Sequence, residues 1–526
     1  MNKSFYHHCT LLILLLLAPA FHALGSNELP IPHIKQGTAK VVGSVTNFNI
    51  GEGKKLTFGI TVINPIGGAR KEYTAEIDKN NHFELNVPLV CDKMIVYGGL
   101  CSGSIVYWGG CIGLDQDNDL NIKLDFGNKK KASVSMAGGL TGFSYEDLSN
   151  LPISLGRFEE FNTIRHDYYR MSPQEYKEYE LNKDLKKRIK FAMDSLTFSP
   201  VAMKWLLKAF NFRFVGGRLF EYKEEAERIY RIDSIYNMKK LKKYRIEEPD
   251  KSYYSFLKEY HLNDPELLYL SSYYSTFMQN LLSVKAFQIP QIKDIPTKQW
   301  IDTVKCNIKE MVGLDDGEFY DLLAANAYAT QVCENNEPLS AVQKANIREY
   351  YETHNRDIAQ ILLDIDKGAL EEASRPDNIY VEPDTIVSKE ENEPLQVSPN
   401  KLMDSIISKY RGHVVLVDIW ATWCPACLMG INQMKDVEED LKKKGVIFVY
   451  ITSTTSPKKI WQKKIKTIGG EQYYLTKEKL DGILDSVHSD GYPTYLFYDK
   501  QGELKNKSIG FSGVDTIKDE LLKLSN

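Results

Sequence analysis

The first part of the chain, from about residue 33 to residue 139, alternates apolar and polar positions in short runs. Lys40–Val45, Leu56–Val62 and His82–Val87 are examples, and turn-forming residues such as Asp78–Asn81 separate them. A period of two is typical of half-buried strands. The pattern therefore predicts a β-sandwich over residues 26–144.

Near residue 145 the apolar positions change to helical spacing, which continues to about residue 374. Ser199-Pro200 is one helix start, because serine caps a helix and proline suits its first position. Tyrosine doublets recur here without a fixed period, so the pattern does not indicate a repeat array. Aromatic residues at helical spacing are typical of a core, and a docking groove is the alternative. The pattern predicts a central α-helical domain over residues 145–374. The doublets are Tyr168-Tyr169, Tyr253-Tyr254, Tyr273-Tyr274 and Tyr350-Tyr351.

A polar, acidic stretch with regularly placed prolines occupies residues 375–397, and it predicts a linker. Beyond it, strand-like and helical runs alternate and end in a hairpin, which predicts an α/β domain over residues 398–526. The predicted strands are 414–420, 446–451, 494–498 and 503–509, and the predicted helices are 401–410, 425–444, 457–465, 477–488 and 514–524.

The amino terminus reads as a targeting segment. Lys3 precedes an apolar run, Leu11–Ala18, and small residues follow it. The run is too short to cross a bilayer, so residues 1–25 are expected to be a cleavable signal peptide. Cys9 precedes the run and therefore does not form a lipoprotein cleavage box. We expect a soluble mature protein in the periplasm or cell envelope.

The charge balance and the acidic residues bear on two possible functions, nucleic-acid binding and calcium binding. The 526 residues include 66 Lys+Arg and 70 Asp+Glu, a net charge of −4, which gives no sign of a nucleic-acid surface. Asp115, Asp117 and Asp119 resemble the start of a calcium loop. Such a loop needs glycine and glutamate where this chain has Leu120 and Phe126, so we expect an acidic turn and no metal.

The strongest chemical signal is Cys424-Pro425-Ala426-Cys427, at the junction of a strand-like run and a helical run. This spacing places Cys424 at the helix N-cap and Cys427 one turn inside, within the reach of a disulfide. The helix dipole lowers the pKa of Cys424, and Pro425 suits the first helical position. We therefore predict that Cys424 attacks a disulfide and that Cys427 resolves the mixed disulfide. No cofactor is implied.

A zinc site is the alternative use of a C-x-x-C pair. Zinc needs four ligands, and the chain has one such pair with only His413 nearby in sequence. Five further cysteines lie outside the pair and the signal peptide. They form bridges or act as small buried apolar residues, and the sequence leaves both open. The candidate bridges join two of Cys91, Cys101 and Cys111, and Cys306 to Cys333.

The segment VDIWATWCPAC resembles the thioredoxin active-site signature, and GYPT at Gly491–Thr494 resembles the cis-proline loop of that superfamily. With the signal peptide, the nearest resemblance is to the TlpA/ResA-like thiol-disulfide oxidoreductases. It covers about residues 398–526 and implies a thioredoxin fold, with 453–474 as the insertion of TlpA-like members. The family's helix-kinking proline is replaced by Asn432, and we expect Gly430 to supply the bend.

The resemblance also implies roles for individual residues. Asp418 occupies the position of the buried acid, where desolvation raises its pKa and lets it take the proton of Cys427. A half-exposed strand end is the alternative. Pro493 is expected to be cis and to pack against the disulfide, while the backbone of Tyr492 pairs with a bound peptide. Trp423 is expected to cover the site, and Trp420 to flank it or to belong to the core.

The predicted function is reduction of protein disulfides in the envelope, including those of apocytochromes. The predicted partners are these thiol or disulfide proteins and a membrane electron-donor thiol protein. The dipeptide between the two cysteines tunes their reduction potential, and Pro425-Ala426 matches neither the thioredoxin-like reducing extreme nor the DsbA-like oxidising extreme. An oxidase or isomerase is therefore the alternative function. A partner-binding scaffold with an accessory thioredoxin domain is the third alternative.

Overall fold

The computed structural model describes residues 28–48, 55–102, 105–127, 132–161, 165, 167–236, 244–333, 337–374, 399–422, 424–456, 458–489 and 491–525. The predicted signal peptide, the predicted linker and Trp423 lie outside these ranges. The chain divides into two compact units, one of residues 1–230, 241–327 and 345–361, and one of residues 231–240, 328–344 and 362–526. None of the described helices has the length and apolar character needed to cross a membrane.

The first unit begins with two four-stranded sheets. One has the order β4-β1-β7-β8 and the other the order β3-β2-β5-β6. Phe58 and Phe83 stack with ring centroids 4.3 Å apart, which packs one sheet against the other. The strands are β1 (Ile34–Thr46), β2 (Thr57–Ile63), β3 (Arg70–Glu76), β4 (His82–Cys91), β5 (Lys93–Ser102), β6 (Ile105–Asp115), β7 (Leu120–Asp125) and β8 (Ser133–Ala137).

Helices follow the sheets along the chain. Ser199 accepts a hydrogen bond from the backbone N–H of Ala202 and Pro200 opens the helix, as the sequence predicts. The doublets Tyr168-Tyr169 and Tyr253-Tyr254 are buried, which places them in the core. The helices are α1 (Tyr145–Glu160), α2 (Pro173–Tyr179), α3 (Leu185–Met193), α4 (Pro200–Phe214), α5 (Tyr222–Tyr236), α6 (Ser271–Ser283), α7 (Thr297–Val312), α8 (Glu318–Cys333), α9 (Ala341–His354) and α10 (Arg356–Ser374).

The carboxyl-terminal part of the second unit contains a five-stranded sheet of order β11-β10-β9-β12-β13. β9 lies at its centre, parallel to β10 and antiparallel to β12. Every residue of β9 is buried, which explains its near-continuous apolar sequence. The strands are β9 (Val414–Ile419), β10 (Val446–Ser453), β11 (Glu471–Leu475), β12 (Thr494–Tyr498) and β13 (Leu504–Ile509).

Helices cover both faces of this sheet. Leu416 and Trp420 join an apolar cluster with α12, α13 and α15, whereas Val415 and Val417 join a second cluster with α11 and α14. The alternation follows from the period of two along a strand. The helices are α11 (Pro399–Ser408), α12 (Pro425–Lys443), α13 (Lys458–Ile468), α14 (Lys477–Ser486) and α15 (Val514–Ser525).

The region predicted as an insertion, residues 453–474, contains α13 and most of β11. The sequence interpretation includes no strand there. β11 pairs in parallel with β10, from Val449 opposite Glu471 to Ser453 opposite Leu475. A parallel edge strand depends on a distant partner, and a five-residue run gives only a weak signal of its own.

Candidate active site

Cys424 and Cys427 lie at the start of α12, as the spacing predicts. Cys424 is the N-cap residue, and the backbone N–H of Cys427 donates a hydrogen bond to its Sγ at 3.1 Å. The two sulfurs form a disulfide with a Cα–Cα distance of 5.3 Å. Both residues are buried, and Cys424 retains an exposed fraction of 4% against 0% for Cys427. Once reduced, the N-cap sulfur is the one that the helix N–H groups and dipole stabilise as a thiolate.

The loop between β9 and α12 is held by hydroxyl groups from the end of β10. The backbone N–H of Thr422 donates a hydrogen bond to Ser456 Oγ at 2.9 Å. Ser456 Oγ also lies 2.8 Å from Thr452 Oγ1, and Tyr474 Oη donates to the Ser456 carbonyl at 2.7 Å. These contacts fix the backbone two residues before Cys424. Sequence reasoning missed them, although the hydroxyl run Thr452–Ser456 is a visible signal.

Asp418 is the penultimate residue of β9 and is buried, with an exposed fraction of 4%. Leu416 and Trp420, two positions before and after it, belong to the apolar cluster that contains both active-site cysteines. Asp418 therefore lies on the sheet face that carries α12. Burial raises the pKa of its carboxyl group well above the ordinary value. Its Oδ1 is buried without a hydrogen-bond partner among the described residues.

The loop before β12 contains a cis peptide bond between Tyr492 and Pro493, as the sequence predicts. The Pro493 carbonyl accepts a hydrogen bond from the backbone N–H of Gly510 at 2.8 Å, which ties this loop to the end of β13. Tyr492 is half-buried and packs against both apolar clusters. Burial raises the pKa of its phenol to about 12, so the phenol is neutral near pH 7.

Two tryptophans, Trp420 and Trp423, precede the active-site cysteines in sequence. Trp420 is fully buried and is one of the largest side chains in the core. Its position matches the core alternative that the sequence left open. Trp423, the residue expected to cover the site, lies outside the described residues.

Gly430 serves a packing purpose that the sequence interpretation did not foresee. A β-carbon at this position would lie 2.6 Å from Tyr495 Oη and 2.8 Å from Phe511 Cδ2. Helix α12 runs from Pro425 to Lys443 as one element. The absence of a side chain therefore lets the helix approach β12 closely. Asn432, at the position of the family's proline, is exposed.

The structure joins none of the five other cysteines to one another, so neither candidate bridge is present. Cys91 is fully buried, and desolvation raises the pKa of its thiol. Burial likewise raises the pKa of Cys111 to about 12. Cys306 is exposed. Cys91 therefore fits the alternative of a small buried apolar residue.

Comparisons with known proteins concern the carboxyl-terminal part of the chain. Residues 398–519 match the Redoxin family. An uncharacterized protein of Haemophilus influenzae is 29% identical over 115 residues, which are 21% of this chain and 74% of that protein. The thiol-disulfide oxidoreductase ResA of Geobacillus kaustophilus is 27% identical over 104 residues, which are 20% of this chain and 59% of ResA.

One similar solved structure is the thioredoxin domain of a thiol-disulfide oxidoreductase from Bacteroides vulgatus. It is 22% identical, the match covers 22% of this chain and 83% of that chain, and the TM-score is 0.20. The match to the Redoxin family and to ResA agrees with the disulfide at the start of α12 and with the cis Tyr492-Pro493 bond. Residues 398–519 therefore form a thioredoxin-like oxidoreductase domain that resembles the TlpA/ResA-like thiol-disulfide oxidoreductases.

Proposed function

We propose that this protein reduces disulfides of protein substrates by dithiol–disulfide exchange at Cys424 and Cys427. The observation that carries the proposal is the hydrogen bond from the Cys427 N–H to Cys424 Sγ at the N-cap of α12. This arrangement favours the thiolate of Cys424, which is the attacking species. Of these two cysteines, Cys424 is the one that retains solvent exposure.

The exchange proceeds in two steps that conserve electrons. The Cys424 thiolate attacks one sulfur of the substrate disulfide, a mixed disulfide forms, and the other substrate sulfur leaves as a thiolate. Cys427 then gives its proton to Asp418 and attacks Cys424 Sγ, which releases the second substrate sulfur. Two electrons have passed to the substrate, and the Cys424–Cys427 disulfide remains. A thiol protein in the membrane is the proposed donor that reduces it again.

Substrate docking is assigned to the loop that precedes β12. The backbone of Tyr492 pairs with an extended segment of the substrate, and Pro493 packs beside the disulfide. The hydrogen bond from Gly510 to the Pro493 carbonyl supports this assignment, because it holds the loop in place. Trp423 covers the bound segment.

The proposed location is the periplasm or cell envelope, and the signal-peptide pattern at residues 1–25 supports it. We propose a β-sandwich domain at residues 26–144 and a helical domain at residues 145–374. Residues 375–397 connect them to the redox domain. Apocytochromes awaiting haem attachment are one proposed substrate class.

The proposal is tested by insulin reduction with the full-length mature protein. Wild type should reduce insulin, Cys424→Ser should be inactive, and Cys427→Ser should accumulate the mixed disulfide. Cys306→Ser, which removes an exposed thiol elsewhere, is the matched control and should keep full activity. Equal activity in wild type and Cys424→Ser would overturn the proposal.

Direction is tested by the reduction potential of the pair, from the alkylation of Cys424 and Cys427 in glutathione buffers. A potential below about −220 mV agrees with a reductase that needs a donor. A potential above about −150 mV would instead assign an oxidase or isomerase.

A further inference from the structure

Two tyrosines lie on either side of Asp418 in the sheet. Tyr450 of β10 is its register partner on one side, and Tyr495 of β12 is its partner on the other. Register partners on adjacent strands present their side chains on the same face. Both tyrosines are buried and belong to the apolar cluster that contains Cys424 and Cys427. The carboxyl group of Asp418 therefore lies in a row between two phenol side chains.

The two phenols differ in where their hydroxyl groups lie. Tyr450 Oη lies 3.5 Å from Glu438 Oε2, and Lys442 Nζ lies 2.7 Å from the other oxygen of Glu438. Tyr495 Oη is buried without a hydrogen-bond partner among the described residues, as is Asp418 Oδ1. An unused donor and an unused acceptor thus occur at paired positions, and a buried polar atom without a partner requires an explanation.

The position of Tyr495 Oη also relates it to the resolving cysteine. Tyr495 Oη approaches α12 at Gly430, where a β-carbon would lie 2.6 Å away. Gly430 follows Cys427 by three residues, so the two lie on the same face of the helix. The hydroxyl group therefore lies within one helical turn of Cys427, on the side of α12 that faces Asp418.

We propose that Tyr495 is a positioning residue for the resolving step, whose hydroxyl group donates a hydrogen bond to the Asp418 carboxylate when that carboxylate is charged. The bond is direct or passes through one water molecule. This inference rests on the proposed function, in which Asp418 accepts the proton of Cys427. Tyr495 keeps its own proton throughout, so proton transfer still runs from Cys427 Sγ to Asp418.

The active site is in its oxidised form in this structure. The two cysteines are joined in a disulfide, and a disulfide requires no base. Desolvation raises the pKa of the Asp418 carboxyl group and so favours its neutral form. On the neighbouring strands, Tyr450 of β10 and Tyr495 of β12 face the Asp418 side chain. On α12, Cys427 and Glu438 face it, and Glu438 forms an ion pair with Lys442. The apolar side chains of α13 and α15 complete the cluster.

The test follows the reduced full-length protein as it reacts with one equivalent of 5,5′-dithiobis-(2-nitrobenzoate). The first thionitrobenzoate released reports attack by Cys424, and the second reports resolution by Cys427. Cys306→Ser is used as the background because Cys306 is exposed, and the trace of a Cys424→Ser variant is subtracted. Rates of both phases are measured from pH 6 to pH 10 for wild type, Tyr495→Phe and Tyr450→Phe.

We expect Tyr495→Phe to slow the second phase about tenfold near pH 7, because the charged carboxylate loses a hydrogen bond. The rate should return to that of wild type at high pH, and the first phase should not change. Tyr450→Phe, the matched control, should leave the midpoint of the pH profile in place. Near-ultraviolet circular dichroism checks that the variants are folded.

Two results would overturn the inference. One is that the second-phase rate of Tyr495→Phe depends on pH in the same way as that of wild type. The other is that the midpoint of this pH profile shifts equally in Tyr495→Phe and Tyr450→Phe. Either leaves the proposed function intact as long as wild type shows both phases. If wild type lacks the first phase as well, the proposed function itself fails.

Discussion

The α-carbon of Gly430 lies so close to Tyr495 that a β-carbon on it would be 2.6 Å from the tyrosine hydroxyl oxygen. Real β-carbons do not approach oxygen so closely, so Gly430→Ala must displace α12 or the tyrosine. Overpacking of this kind costs about 1–3 kcal/mol. We expect Gly430→Ala to lower the unfolding free energy of the domain by this amount, measured by hydrogen exchange of peptides from β9 and β12 in increasing denaturant.

A double-mutant cycle separates this contact from a general effect of alanine. Tyr495→Phe removes the hydroxyl group that the new methyl group would meet, while Phe511 still restricts the space. The double variant Gly430→Ala/Tyr495→Phe should therefore recover part of the lost stability. No recovery would mean that the contact with Tyr495 does not explain the glycine.

Asp418→Asn tests the assignment of Asp418 as the base for Cys427. Asparagine has a similar size but accepts no proton, so the resolving step should slow about 100-fold near pH 7. Attack by Cys424 should keep its rate, because it does not need this base. The two thionitrobenzoate phases measure both steps, and Asp519→Asn, at an exposed position of α15, is the control. Unchanged kinetics in Asp418→Asn would remove Asp418 from the mechanism.

Asp418→Asn also tests how the stability of the domain depends on pH. Burial raises the pKa of Asp418 in the folded state, so the folded protein holds this proton more tightly than the unfolded chain. Stability from this site is fully present below about pH 4, the ordinary aspartate pKa, and is lost as pH rises toward the folded-state pKa. Asparagine does not ionise and avoids the loss.

Asp418→Asn should therefore match wild type near pH 4 and become the more stable protein above it. The difference should grow by about 1.4 kcal/mol per pH unit until the folded-state pKa is reached. Hydrogen exchange of β9 at several pH values gives the measurement, after correction for intrinsic exchange rates. A difference independent of pH would show that Asp418 titrates as an ordinary carboxylate.

The features predicted from sequence are those that depend on neighbours in the chain. Cys424 and Cys427 are placed by the start of a helix, and that start is visible in the change from strand-like to helical pattern. The buried run around Asp418 likewise predicts a central strand. The cis bond before Pro493 was predicted from the family motif.

The missed features depend on residues far apart in sequence. β11 is defined by its pairing with β10, and the anchor at Thr422 is Ser456, 34 positions later. The packing role of Gly430 was missed for the same reason, because it depends on Tyr495 and Phe511, which are distant in sequence. A glycine in a helical pattern indicates a bend or a close approach, and a close approach depends on residues that only the packed structure brings together.

The cysteines outside the active site should react in an order set by their burial. Cys306 is exposed, whereas Cys91 is fully buried with a raised thiol pKa. Native oxidised protein treated with iodoacetamide should be labelled first at Cys306 and at Cys91 only after unfolding. Cys424 and Cys427 should be labelled only after reduction. Mass spectrometry of tryptic peptides gives the order, and a linked Cys306–Cys333 peptide pair would contradict it.

Ser456 should influence the active site although it lies 32 positions after Cys424. Its hydroxyl group is the partner of the buried Thr422 N–H, so Ser456→Ala leaves that donor unsatisfied. Such a loss costs about 1–3 kcal/mol and loosens the backbone just before the nucleophile. We expect lower stability of this domain together with slower attack by Cys424, while Ser408→Ala, at an exposed position of α11, should change neither. Unfolding by hydrogen exchange and the first thionitrobenzoate phase measure the two effects, and loss of stability with unchanged attack would limit Ser456 to a structural role.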